Sequence, residues 1–204
     1  MEKLKFMKRI NRVVCLFFVL LSLVSCKSEY QQYVDQEMAK GITQDSLIFG
    51  MRMGQTKKDF FTICWDLNKE KIISQGAGAN ARYVTDRDSI GGEADPLSKE
   101  MLFYGIFDEN EVMRGMRMSY SFLAWAPWNE DMQSDRLLEH LRKIYLADYP
   151  GNDFIELEIK ESKYPALVKI DGNRQILMYP KNDKDVVVKI EDLEYKLSER
   201  KKIR

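Results

Sequence analysis

The chain has 204 residues, 45% of them hydrophobic and 31% charged, with 32 basic side chains matched by 32 acidic ones. That length suits one compact domain or two small ones, and it can bury a core without a metal or disulfide staple. The balanced charge, with no long basic cluster beyond the first dozen residues, argues against a nucleic-acid groove.

Residues 1–25 read as an export signal. Lys3, Lys5, Lys8, Arg9 and Arg12 make a positive head, and an almost wholly apolar run follows from Val13 to Val24. A membrane-spanning helix needs roughly 20 apolar residues, whereas the apolar region of a secretory signal needs only about 7 to 15. The run ends in Leu23-Val24-Ser25-Cys26, which resembles the lipobox of bacterial lipoproteins. The resemblance implies that Cys26 is lipidated and becomes the first residue of the mature protein, held to a membrane by several acyl chains. It also implies an outer-membrane address, because Lys27 rather than Asp follows the cysteine. On this reading Cys15 leaves with the signal and Cys26 is spent on lipid, so Cys64 is the one free thiol and no internal disulfide can form. Losing the signal removes five bases and one acid, which leaves the mature chain mildly acidic.

Past the anchor, Tyr30, Tyr33, Val34, Glu37 and Met38 fall at helical spacing and Gly41 supplies a stop, so 26–47 is the anchor with a short helix. Gly54 then precedes Thr56, a capping residue with Asp59 at the reciprocal position, opening a helix whose apolar stripe is Phe60, Phe61, Cys64 and Leu67. Strands follow over 102–107 and 116–122, joined by a turn at Asp108-Glu109-Asn110. In the second of them Met116, Met118, Tyr120 and Phe122 alternate with Arg117, Ser119 and Ser121. The pattern then recurs. Ser134 is placed to cap a second helix with Leu137, Leu138, Leu141, Ile144 and Tyr145 as its stripe, ending at Tyr149-Pro150-Gly151. Strands are expected over 154–159, 166–170, 176–179 and 186–190, with Asp171-Gly172-Asn173 closing the middle pair as a hairpin. Glu199-Arg200-Lys201-Lys202 opens a solvated charged tail over 199–204.

The order helix, antiparallel strands, helix, antiparallel strands specifies an α+β fold in which each sheet lays one face on its helix. It divides into tandem helix-plus-strands modules over 48–126 and 127–198, the alternative being a single α+β domain. The stretch from Gly41-Ile42-Thr43 through Ile48-Phe49-Gly50-Met51-Arg52-Met53-Gly54-Gln55-Thr56-Lys57-Lys58-Asp59-Phe60 resembles the helix-loop-helix of BamE-like lipoproteins. That resemblance implies a lipid-anchored helix-on-sheet module, which in BamE is a non-catalytic accessory of the outer-membrane β-barrel assembly machine. The related β-lactamase inhibitor protein carries two such modules in tandem and binds through its sheets. The match covers residues 41–60. Asn68-Lys69-Glu70-Lys71 stands where the second family helix often closes with Gly-x-Pro, and 74–97 reads as an insertion without a family counterpart.

Within that insertion Gly76-Ala77-Gly78-Ala79-Asn80-Ala81 satisfies the G-x-G-x-x-A spacing of a dinucleotide fingerprint. Arg82-Tyr83-Val84-Thr85 and the turn-rich Asp86 to Gly92 follow where a phosphate-holding helix would have to start, so a flexible loop is read there and no cofactor. With His140 the only histidine, a Cys/His zinc site is not assembled. Cys64 sits on an apolar stripe where a thiol is inert, and His140, among Glu139, Arg142 and Lys143, belongs to a wet face. Asp86 with Asp88, Asp108 with Glu109 and Glu111, and Asp183 with Asp185 occupy turns, which attract acids without a metal. No catalytic, cofactor or metal residue is therefore assigned. The candidate partner-binding residues are Trp125 and Trp128, where a strand runs out into a Pro-containing connection; the competing role is a core plug. The expectation is a lipid-anchored, non-enzymatic envelope protein, held to the membrane through Cys26 and binding a protein partner rather than nucleic acid. The alternatives are a small-molecule or glycan carrier using the Trp125 to Trp128 region and, last, a hydrolase without a recognised motif.

Overall fold

A computed structural model describes residues 28–85, 97–158 and 164–202. The export signal, Cys26, Asp86 and Asp88 lie outside the described residues, as do 159–163 and the last two positions of the tail. The chain divides into two units, Met1–Asp35 and Gln36–Arg204. The described part of the first is the start of helix α1 (Glu29–Ala39), where the Ser28 hydroxyl accepts from the Gln31 N–H at 3.2 Å and so caps the helix.

The second unit holds helix α2 (Lys57–Lys69), strands β1 (Ile73–Gln75), β2 (Ala81–Val84), β3 (Lys99–Phe107) and β4 (Met113–Phe122), then helix α3 (Ser134–Asp148). Strands β5 (Ile155–Leu157), β6 (Ala166–Asp171), β7 (Arg174–Pro180) and β8 (Val186–Asp192) come next, and helix α4 (Leu193–Lys202) closes the unit. Every pairing is antiparallel, and the strands form one eight-stranded sheet in the order β1-β2-β3-β4-β8-β7-β6-β5. The fold is α+β, but the separate sheets expected from the sequence are one sheet. Their seam is β4 against β8, where Gly115 to Tyr120 stand in register with Glu191 to Val186. Gly115 permits that approach, since a Cβ there would lie 2.1 Å from the Ile190 carbonyl oxygen.

Helix α2 starts as its sequence dictates. The Thr56 hydroxyl accepts from the Asp59 N–H at 3.1 Å while the Asp59 carboxylate accepts from the Thr56 N–H at 3.0 Å. Phe60 is buried edge-on to Tyr104 and Phe107, with Ile63, Cys64 and Leu67 half-buried along the same face. Phe61, assigned to that stripe, is 49% exposed. Neighbouring residues point about 100° apart on a helix, so the face that meets the sheet is 60, 63, 64 and 67. Helix α3 is not capped by Ser134. Gln133 holds the N-cap position without a side-chain bond, and Ser134 is buried, its N–H donating to the Asp183 carbonyl at 2.8 Å. Leu137, Leu138, Leu141 and Tyr145 bury against the sheet, each worth about 1.5–3 kcal/mol when fully removed from water. The Tyr120 and Tyr145 hydroxyls meet at 2.9 Å, and Tyr145 donates on to the Met118 sulfur at 3.2 Å, so the buried phenols are satisfied.

Two further segments differ from the expectation. The glycine run 76–81 is the turn of the β1–β2 hairpin: the Gly76 N–H donates to the Asn80 carbonyl at 2.9 Å, and Gly78 takes a φ of +64°. Residues 73–84 thus widen the sheet instead of looping out, and the glycines lead into strand β2, not into a helix. At the other end, Glu199 to Lys202 form the last turn of α4 rather than a coil.

The β6–β7 hairpin closes at Gly172-Asn173, under a strap formed by residues 42–44. Asn173 is 7% exposed and is a hub. Its side-chain oxygen accepts from the Gln44 N–H at 2.6 Å, and its amide donates to the Asp192 carboxylate at 3.2 Å. Its backbone bonds Ile42 on one side and Leu193 on the other. Glu37 joins this end of the sheet by accepting from the Gly172 N–H at 3.3 Å and pairing with Lys40 at 2.5 Å. Burial works against its charge, but these bonds together with one from Asn152 hold its carboxyl below the usual range. Nearby, the fully buried Lys169 pairs with Asp171 at 2.9 Å and donates to the Asn152 carbonyl, and the Arg174 guanidinium stacks on the Tyr149 ring at 4.7 Å.

Candidate binding surface

The segment after β4 carries both tryptophans singled out in the sequence, and it is built unlike a slack loop. Gln133 reaches back from the start of α3 and donates to the carbonyls of Ala126 at 3.0 Å and Asn129 at 2.6 Å. Its side-chain oxygen accepts from the Trp125 indole N–H at 3.4 Å, and Asn129 accepts from the Asp131 N–H at 3.3 Å. Trp125 is packed against the core, with the Lys184 ammonium 5.6 Å from its ring centre. Trp128, three residues on, is 84% exposed. The two candidates are therefore separated in role. Trp125 braces the connection, and Trp128 is presented to solvent by it.

Leu97 and Leu123 are both exposed, and the Leu123 N–H donates to the Ser98 carbonyl at 2.9 Å. The beginning of β3 and the end of β4 thus mark the tip from which the Trp128 connection leaves. It lies at the end of the sheet opposite the Gly172-Asn173 hairpin, because β4 ends beside the start of β8.

A second exposed aromatic pair was not singled out in the sequence. Phe61 and Trp65 stand one turn apart on the outer face of α2, Trp65 at 64% exposure with the Lys69 ammonium 5.5 Å from its ring. The readable signal was spacing i, i+4 on the side of the helix away from Phe60 and Cys64.

Cys64, His140 and Asp108 are each engaged in packing or in holding a turn. Cys64 is half-buried beside Ile73 and Ala81, and burial pushes its thiol up to about 11. His140 is less wet than expected: it packs edge-on to Phe122 at 5.8 Å, and burial, followed by the charges of Lys99 and Lys143, holds its pKa below the ordinary histidine value. Asp108 accepts from the N–H groups of Asn110 and Val112 and from Arg114, all at 2.9 Å, so it organises its turn. Among the described residues no three His, Cys, Asp or Glu side chains gather as a metal site, and no helix is long and apolar enough to cross a membrane. No protein-family model matches this chain, and no curated protein or solved structure matches it.

Proposed function

We propose that this is a lipid-anchored bacterial envelope protein, mature from Cys26 and held in the outer membrane, that acts by binding a protein partner and not by catalysis. The observation that carries the reading is Trp128, a large aromatic side chain left 84% exposed on a connection made rigid by Gln133 and Trp125. A pre-organised aromatic supplies contact area while losing little entropy on association, which is the character of an interface hot spot. The order helix, four strands, helix, four strands supports reading 48–126 and 127–198 as tandem copies of one unit, joined at the seam of β4 and β8. A photo-crosslinking amino acid at position 128 in the living host tests the partner: one discrete protein adduct is expected, absent when the same residue is placed at exposed position 58 of α2. No adduct from position 128 would remove the protein-binding reading. Incorporation of labelled palmitate into a Cys26→Ala chain would remove the anchor.

A further inference from the structure

On the helix-covered face, α3 and residues 46–49 stand apart and leave a cleft of about 550 Å³ between them. Its floor is one row of register partners across three strands, Tyr83, Met101 and Tyr120. Leu141 and Ile144 form the α3 wall, and Ile48 and Phe49 form the other. The volume is that of a small-molecule site, which typically spans about 300–1,000 Å³, and is too small for a folded partner.

Two independent features mark the cleft as more than a packing gap. Phe49 has a φ of +55°, in the left-handed region that costs a bulky residue about 1–2 kcal/mol. Its ring is held there edge-on to Tyr83 at 5.2 Å and tilted on Phe103 at 5.5 Å, so the strained residue forms a fixed lip over the floor. Across from it, Ile144 belongs to the stripe that the sequence places in the core, yet it is 39% exposed at the cleft rim.

The lining also has a direction. One row along the strands from the apolar floor lie Thr85 and Lys99, paired by the Lys99 N–H donating to the Thr85 hydroxyl at 3.0 Å, and the Lys99 ammonium donates to the Leu97 carbonyl at 2.7 Å. The opposite end carries Ser46 and Asp148. Positive charge thus stands at one end, with aromatic and aliphatic walls between. We propose that this cleft binds one small, elongated aromatic molecule, apolar along its middle and anionic at the end that faces Lys99. Trp128 does not line it, so this site and the partner surface stand or fall separately.

The test uses the full chain in lipid nanodiscs, irradiated with 4-benzoylbenzoate, an elongated aromatic anion that couples to nearby C–H bonds. Saturable adducts are expected on peptides carrying Phe49, Met101 or Ile144, displaced by excess biphenyl-4-carboxylate. Ile144→Trp should fill the mouth and lower labelling about tenfold, equivalent to about 1.4 kcal/mol, while the melting temperature holds because the position is exposed. Should that variant melt early, Ile144→Glu sets a repelling carboxylate at the same mouth and should lower labelling likewise. Lys99→Met should erase the preference for 4-benzoylbenzoate over neutral benzophenone, and Trp128→Ala, which alters the partner surface alone, should leave the labelling of the cleft as it is. Adducts scattered over the surface or confined to the Trp128 connection would overturn the proposal. So would labelling unchanged in a folded Ile144 variant.

Discussion

Asn173→Ala isolates what one buried amide contributes to holding the chain together. Alanine leaves both backbone bonds of the residue in place, and it adds no strain because Asn173 does not occupy the left-handed region. What is lost is the bond accepted from the Gln44 N–H at 2.6 Å and the bond donated to the Asp192 carboxylate at 3.2 Å. A neutral bond of the first kind contributes about 1 kcal/mol net, and one to a charged acceptor about 1.5–3 kcal/mol. Asp192 keeps the Glu194 N–H at 3.1 Å, which places its loss at the low end, whereas the half-buried Gln44 N–H keeps no replacement from the removed side chain. The expected destabilisation is about 3 kcal/mol, or roughly 6–12 °C in Tm for a unit of this size. Urea unfolding followed by tryptophan fluorescence and by far-UV circular dichroism measures it, and coincident transitions would license the two-state treatment. A shift below about 0.5 kcal/mol, the range of an ordinary surface substitution, would refute the argument that residues 42–44 are strapped down through this side chain.

The remaining expectations divide by site. Gly115→Ala forces a methyl group against the Ile190 carbonyl and should cost about 3 kcal/mol or more, read from the urea midpoint; a loss under about 1 kcal/mol would mean that the seam is looser than its geometry. Trp125→Ala should destabilise by about 1–2 kcal/mol as truncation of a half-buried side chain that braces the connection, while Trp128→Ala stays within about 0.5 kcal/mol, and thermal melts of the pair would expose a reversed assignment. At pH 8 the Cys64 thiol, raised from 9.0 to about 11, should react with a disulfide reagent about 100-fold more slowly in the native chain than in urea. Burial raises the Tyr149 hydroxyl from 10.0 to about 12, and those of Tyr120 and Tyr145 rise as well. Groups shifted this way lose protons first in the unfolded chain, so stability should fall as pH climbs from about 9 toward 12, and a flat urea midpoint across that window would contradict the burial.

The elements legible in the sequence are those specified by neighbours. The reciprocal cap of Thr56 and Asp59, the alternation of Met116 to Tyr120 and the Gly172-Asn173 hairpin are each set within a few residues, and each stands where the pattern puts it, whereas Ser121, expected on the polar side of the same alternation, is buried. The joining of the sheets was not legible because it pairs residues seventy positions apart, such as Met118 with Val188, and leaves only Gly115 as a local trace. The cleft was hidden for a related reason. Its floor takes one residue from each of three strands, and its lip is a strained backbone at Phe49 that no periodicity announces. Of the candidate residues, the aromatic run pointed to the right connection, but only packing separates Trp125 from Trp128.

The seam of β4 and β8 also puts a clock on assembly. A chain synthesised from its N-terminus completes β4 some sixty residues before the strand that covers its second edge exists. During that interval Met116, Met118 and Tyr120 sit on a strand with one unpaired row of backbone donors and acceptors, the form most open to pairing with a neighbouring copy. Pairings this distant in sequence are also slow to find, which lengthens the exposure. Strand β8 therefore works as a clasp that arrives last, and a nascent chain halted before Val186 should be the species most in need of a chaperone.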